Sequence, residues 1–108
     1  MKSLEMAAMQ IISMVGTARS YYIEAIRCAK ADDIEKAYQR IHLGDEAYRK
    51  GQKVHAELLQ REAEGVLTNV TLLLAHAEDQ LMSAETFHIL SKEWIDLYEK
   101  INSIKESK

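Results

Sequence analysis

His76, Asp79, Gln80 and Ser83 are the residues of this chain whose types and spacing suit chemistry. At about 100° per residue they share one helical face, which brings imidazole, carboxylate, amide and hydroxyl together. A neutral imidazole keeps one lone-pair nitrogen, which can attack phosphorus, bind a metal or act as a base. Asp79, one turn from His76, can orient that ring or bind a hard cation. Gln80 and Ser83 can donate hydrogen bonds to an anion, or simply line a wet patch. The plain alternatives are a His76 that only hydrogen-bonds within a helix seam and an Asp79 that is an ordinary solvated carboxylate.

The face carrying these residues runs from Asn69, Leu72 and Leu73 to Phe87, Leu90, Trp94, Leu97, Tyr98 and Ile101. It is apolar at both ends and polar in the middle, and it reads as a core seam. A buried imidazole and carboxylate are costly unless paired, hydrated or bound to an ion. One Asp and one His are too few ligands for a metal site in one subunit. Near a rotation axis, however, one Asp79 per subunit becomes a ring of carboxylates, which repel one another unless a cation or protons sit among them. Oxygen-only ligation suits Mg²⁺ better than zinc. Other polar residues carry less. Glu78 points almost opposite His76 and reads as a solvated surface residue. Gln52 and His55 face inward on the preceding helix, with His55 structural; His42 lies beside its seam, and His88 falls off the stripe and reads as exposed.

Three helices must position these groups. The chain has 108 residues and no proline, and no segment alternates apolar and polar residues convincingly, so an all-α domain follows. The apolar phase of the first segment runs through Leu4, Ala8, Ile11, Val15, Ala18, Tyr22, Ala25, Ile26 and Ala29. Asp32, followed by Glu35, reads as the N-cap of the second helix. Gly44 and Gly51 each cost roughly 1 kcal/mol relative to Ala inside a helix. The apolar phase is nonetheless the same before and after them, so one long helix is expected rather than a turn at Gly44-Asp45. Gly65 reads as its C-terminal stop. The expected helices span about 3–30, 33–63 and 68–103 in a single domain, residues 1–108, with a frayed polar tail from Ser103. Short loops make the simplest arrangement an antiparallel up-down-up bundle.

Composition narrows the function classes. Hydrophobic residues make up 47% but aromatic residues only 6%, a thin core that gains readily from oligomerisation. The net charge of −3 comes from 14 basic and 17 acidic residues that are scattered, which argues against nucleic-acid or membrane-surface binding. The single Cys28 cannot form an internal disulfide and reads as a packing residue of the first helix, compatible with a reducing cytosol. No apolar run approaches the ~20 residues of a membrane span, and Glu5 and Gln10 interrupt any signal-peptide core. A cytoplasmic protein is expected. There is no Gly-rich phosphate loop, paired-Cys zinc spacing or Glu-x-x-His pair, so a complete hydrolase or nucleotide-driven kinase is hard to build. A phosphoryl carrier needs much less: one exposed, oriented histidine and a docking surface.

The run Leu72-Leu73-Leu74-Ala75-His76-Ala77-Glu78-Asp79-Gln80-Leu81-Met82 resembles the stretch L-x-L-x-HAQDHLM of enzyme IIA of the lactose/cellobiose class, in the bacterial phosphoenolpyruvate-dependent sugar phosphotransferase system. Gly16-Thr17-Ala18-Arg19-Ser20 is similar to that family's G-x-ARS, and the Asp32-Asp33 helix start and Leu58-Leu59 region align as well. The resemblance covers nearly the whole chain. It implies a three-helix subunit assembling as a trimer, and a phosphohistidine at His76. That histidine would accept phosphate from phospho-HPr and pass it to a cysteine of IIB during uptake of a β-linked disaccharide, meeting the membrane only through the sugar permease. Asp79 matches the aspartate whose three copies surround one metal ion on the trimer axis. The chain departs from the pattern at Gln80, where the family has His, at Glu78, where it has Gln, and at Gln52-Lys53-Val54-His55, where it has H-x-x-Q. Two readings of other classes stand beside this one: a helical assembly or adaptor protein in which His76 and Asp79 only fix register, and a metal-storing or metal-sensing bundle.

Overall fold

The computed structural model describes residues 3–66 and 69–107. They form three helices in chain order: α1, Leu4–Lys30; α2, Ile34–Ala63; and α3, Leu72–Glu106. The bundle is a rod of 62 × 20 × 16 Å. α1 is its spine, packed along both other helices, while α2 and α3 meet each other over a much shorter length.

Each helix begins on a side-chain oxygen that takes an otherwise orphaned backbone N–H. Ser3 Oγ accepts from Met6 N at 3.1 Å, Asp33 Oδ1 from Lys36 N at 3.2 Å and Thr71 Oγ1 from Leu74 N at 3.1 Å. Asp33, not the expected Asp32, thus caps α2. Asp32 instead closes α1 in the left-handed region, φ 65°. There its N–H donates to Ala29 O at 3.0 Å and that of Asp33 donates to Cys28 O at 2.9 Å, the paired bonds of a Schellman ending. Asn102 of α3 donates to the Asp32 carboxylate and holds this corner to the far end of the bundle. Gly65, φ 77°, ends α2 in the same way, with Val66 N–H donating to Arg61 O at 2.9 Å, as the sequence predicts. α3 starts later than expected: Thr68 lies outside the described residues, and Asn69 and Val70 precede the Thr71 cap without being helical. It also runs past Ser103 to Glu106, since no Gly or Pro interrupts it.

α2 passes through Gly44 and Gly51 unbroken. The reason lies in packing. A Cβ on Gly44 would fall 2.6 Å from Tyr22 Cε1, and one on Gly51 would fall 2.7 Å from Val15 Cγ1. Both glycines are slots that let α1 approach α2 closely. The predicted face of α1 is the buried one, with Ala8, Ile11, Val15, Ala18, Tyr22, Ala25 and Ala29 in the core, and Cys28 is half-buried against it.

On α3 the expected seam is displaced. The buried residues are Leu74, Ala77, Ala84, Ser91 and Ile95, with Leu73, Leu81, Phe87 and Tyr98 packed against the core; of these only Leu73, Phe87 and Tyr98 belong to the expected seam. Leu72, Leu90, Trp94 and Leu97 are instead 88%, 46%, 44% and 46% exposed. Two stripes run side by side on this helix. The inner one sets the small Ala77, Ala84 and Ser91 among Leu74, Leu81 and Ile95, and the outer one carries Leu72, Leu90, Trp94 and Leu97. His76 and Asp79 lie on the outward stripe, so neither is a buried group of the subunit. No helix among the described residues is long and apolar enough to cross a membrane.

Candidate functional site

The Thr71 cap starts α3, and the buried Leu74 and Ala77 press its first turns onto the bundle. That anchoring leaves His76, between them in sequence, on the outer face. His76 is exposed and makes no hydrogen bond or ion pair among the described residues. Asp79 is also exposed and without a partner there. Gln80 and Ser83 are half-buried and are brought together by a residue of α1: Arg19 Nη1 donates to Gln80 Oε1 at 2.8 Å and to Ser83 Oγ at 3.3 Å.

The other three histidines are engaged. His42 Nε2 lies 3.2 Å from Glu46 Oε1 on the same helix. His55 Nε2 lies 3.1 Å from Glu78 Oε1, so Glu78, although exposed as expected, links α2 to α3. His88 departs most from expectation: it is half-buried in a polar cluster of all three helices. Tyr22 O–H donates to Asp45 Oδ1 at 2.8 Å, and His88 Nδ1 lies 2.8 Å from the same oxygen. A carboxylate only accepts, so Nδ1 carries the proton and donates. The remaining lone pair, on Nε2, faces Lys92 Nζ at 3.4 Å, and that ammonium is also 4.0 Å from Asp45 Oδ2. The Tyr48 ring stacks on the imidazole at 5.8 Å and the Tyr22 ring meets it edge-on at 5.4 Å. Burial above all, then the hydrogen bond to Asp45 and its charge, pushes the Tyr22 phenol far above the usual tyrosine range. Burial, followed by the charge of Glu85, likewise raises Tyr48.

The chemistry of the two histidines on α3 is therefore opposite. His88 has both nitrogens occupied and orders the core. No described residue bonds either nitrogen of His76, which stands in solvent, as a nucleophile or ligand requires. No group of three or more metal-ligating side chains gathers among the described residues of one subunit. Asp79 offers a free, hard oxygen donor, and that donor set fits a hard cation only where several copies share it.

A profile described as "PTS system, Lactose/Cellobiose specific IIA subunit" matches residues 6–99. The chain belongs to this family. The lichenan-specific phosphotransferase enzyme IIA component of Bacillus subtilis is 41% identical over 100 residues, covering 93% of this chain and 91% of the relative. The oligo-beta-mannoside-specific EIIA component of the same organism is 34% identical over 98 residues, covering 91% and 89%. The crystal structure of the cellobiose-specific enzyme IIA from Bacillus anthracis superposes with a TM-score of 0.89 at 36% identity, covering 95% of both chains. The chain is thus a IIA component of a sugar phosphotransferase system, with the three-helix fold of its relatives. Two features of this IIA subunit escape a reading of its stripes. Arg19 belongs to a helix whose apolar pattern gives no hint of contact with Gln80. The Asp45–Tyr22–His88 cluster joins residues whose partners lie on other helices; only the in-phase placement of Asp45 among apolar residues of α2 signals it.

Proposed function

We propose that this IIA component is a phosphoryl carrier in which His76 accepts phosphate from phospho-HPr and passes it to a cysteine of the IIB component. The observation that supports this most is that His76, alone of the four histidines, has no partner among the described residues. Phosphoryl transfer asks mainly for positioning and charge stabilisation. A neutral nitrogen of His76 attacks phosphorus in line; the new N–P bond forms as the donor's bond to phosphorus breaks, and the bonding electrons return to the donor. The IIB thiolate then attacks the same phosphorus, the S–P bond forms, and His76 recovers its lone pair. HPr and IIB use overlapping surfaces, since both must reach one nitrogen, and such encounters are transient. Relatives named for oligo-beta-mannosides, lactose and cellobiose support a β-linked disaccharide as the sugar.

In this reading the chain works in the cytoplasm as a homotrimer and meets the membrane only through the sugar permease. The exposed Leu72, Leu90, Trp94 and Leu97, on the face of α3 that carries Asp79, support assembly through α3, because an apolar stripe of this kind calls for a covering surface. Three copies of Asp79 brought together would hold one Mg²⁺, whose charge turns their mutual repulsion into attraction. Light scattering should give a trimer at micromolar concentration; a stable monomer contradicts the assembly. For the carrier itself, the protein is incubated with phosphoenolpyruvate, enzyme I and HPr. Wild type should gain one acid-labile phosphate and His76→Ala none, with helicity unchanged. Equal labelling of both proteins would overturn the assignment.

A further inference from the structure

We infer that Arg19 is a positioning residue for the phosphoryl group, acting by holding the Gln80 amide in one orientation beside His76; this rests on the carrier reading above. Arginine has no acceptor, so the Gln80 atom 2.8 Å from its Nη1 is the amide oxygen. With Oε1 committed to Arg19, the Gln80 NH₂ is turned away from the guanidinium and is left as a pure donor. Gln80 stands four residues after His76, one turn on along the same face, and every Cα–Cβ bond of a helix tilts toward its N-terminus. The Gln80 side chain therefore leans over the turn that carries His76. A free glutamine amide can present oxygen or nitrogen to its surroundings, and an oxygen would repel a phosphoryl group. Arg19 removes that ambiguity.

Charge points the same way. Both contacts of Arg19, to Gln80 and to Ser83, are with neutral acceptors, and no carboxylate pairs with it among the described residues. A half-buried guanidinium with an uncompensated charge favours the arrival of a dianion on the neighbouring turn. Ser83 Oγ, accepting from the same Nη1 at 3.3 Å, steadies the fork on the far side of Gln80. The chain thereby uses a neutral amide, backed by a fixed cation, to steady the phosphate.

The test separates holding a contact from aiming a donor. Gln80→Glu keeps an acceptor for Arg19, and strengthens the contact with an ion pair, but removes the NH₂ and sets negative charge beside the phosphate. Arg19→Met removes the donor fork and keeps the stem; Arg19→Lys restores charge and a single donor. The rate of His76 phosphorylation by phospho-HPr should fall on the order of tenfold in Arg19→Met, recover in part in Arg19→Lys, and fall further in Gln80→Glu. Combining Arg19→Met with Gln80→Met should cost no more than either change alone, because Arg19 acts through Gln80. In NMR spectra, the Gln80 side-chain NH₂ signals should shift on phosphorylation in wild type and lose that shift in Arg19→Met. Should Arg19→Met fail to fold, Gln80→Glu decides. If wild type takes phosphate on His76 while Gln80→Glu keeps the wild-type rate within twofold and the wild-type NH₂ signals do not respond to phosphate, the positioning role is wrong and the carrier reading stands. If wild type takes no phosphate on His76, the carrier reading itself has failed.

Discussion

Two histidines stand on one helix, twelve residues or about 18 Å apart, and the protein treats them in opposite ways. Around His88, Asp45, Tyr22, Tyr48 and Lys92 take up every bonding position of the ring. Around His76 the described residues supply no partner for either nitrogen. The buried cluster spends its polar groups on one another, locking three helices into register. At the exposed site Arg19 engages Gln80 and Ser83, while His76 and Asp79 have no partner among the described residues and stay available to a ligand. A matching contrast holds for the aspartates: Asp45 is the hub of a network, while Asp79 has no hydrogen bond or ion pair among the described residues.

The contrast is broken most forcefully at Asp45. Asp45→Ala takes the acceptor from the Tyr22 hydroxyl and leaves His88 Nδ1–H only the Tyr22 oxygen at 3.1 Å, and should lower unfolding free energy by about 2–3 kcal/mol in urea titrations. The protein that remains folded should still take phosphate on His76 at the wild-type level. Gly44→Ala acts on the same region through packing. Its Cβ would meet the Tyr22 ring, which the Asp45 hydrogen bond holds in place, so a net loss of about 1–2 kcal/mol is expected despite alanine's better helix propensity. Thermal melts would read this, and an unchanged or higher Tm would show that Tyr22 is free to move.

Alkaline pH sharpens the comparison further. The native Tyr22 phenol keeps its proton well above 10.0, where unfolded tyrosine has begun to lose it. Its contribution is complete below that pH and is lost progressively as pH rises above it, because the unfolded state then binds fewer protons than the native one. Stability should therefore fall above pH 10 less steeply in Tyr22→Phe than in wild type; taking the difference isolates Tyr22 from Tyr38 and Tyr48, which are also raised. The smallest effect belongs to Asp79. Since it has no partner among the described residues, Asp79→Leu should change subunit stability by no more than about 0.5 kcal/mol. Metal content is where it should differ: bound Mg²⁺ in purified wild type and none in Asp79→Leu, whose assembly should survive the loss of mutual repulsion. Wild type that holds no ion, and whose assembly ignores chelators, contradicts the metal role.

Much of the bundle is legible in the sequence, for reasons that differ by helix. α1 carries Ile11, Val15 and Tyr22 on a single face, so its apolar period and its buried face coincide. Gly65 is legible because a left-handed helix ending favours glycine, while Asp32, which adopts the same conformation without being glycine, misleads by one residue. α3 misleads more deeply. Beside Leu74 and Ile95, its core contacts are made by Ala77, Ala84 and Ser91, whose weak hydrophobicity hides them, while Leu90, Trp94 and Leu97 announce a face that the single chain leaves uncovered. His76, Asp79, Gln80 and Ser83 are rightly placed together because helical spacing alone dictates it. Arg19 and the His88 cluster depend on contacts between helices, which one-dimensional spacing does not encode.

An unpartnered imidazole, and not simply an available histidine, should carry the phosphate. Site-resolved mass mapping after incubation with phosphoenolpyruvate, enzyme I and HPr, under alkaline conditions that preserve phosphohistidine, tests it directly. A single phosphate on His76 and none on His42, His55 or His88 is expected. A phosphate on His88 or His55 in the folded wild-type protein, with His76 unmodified, would contradict it.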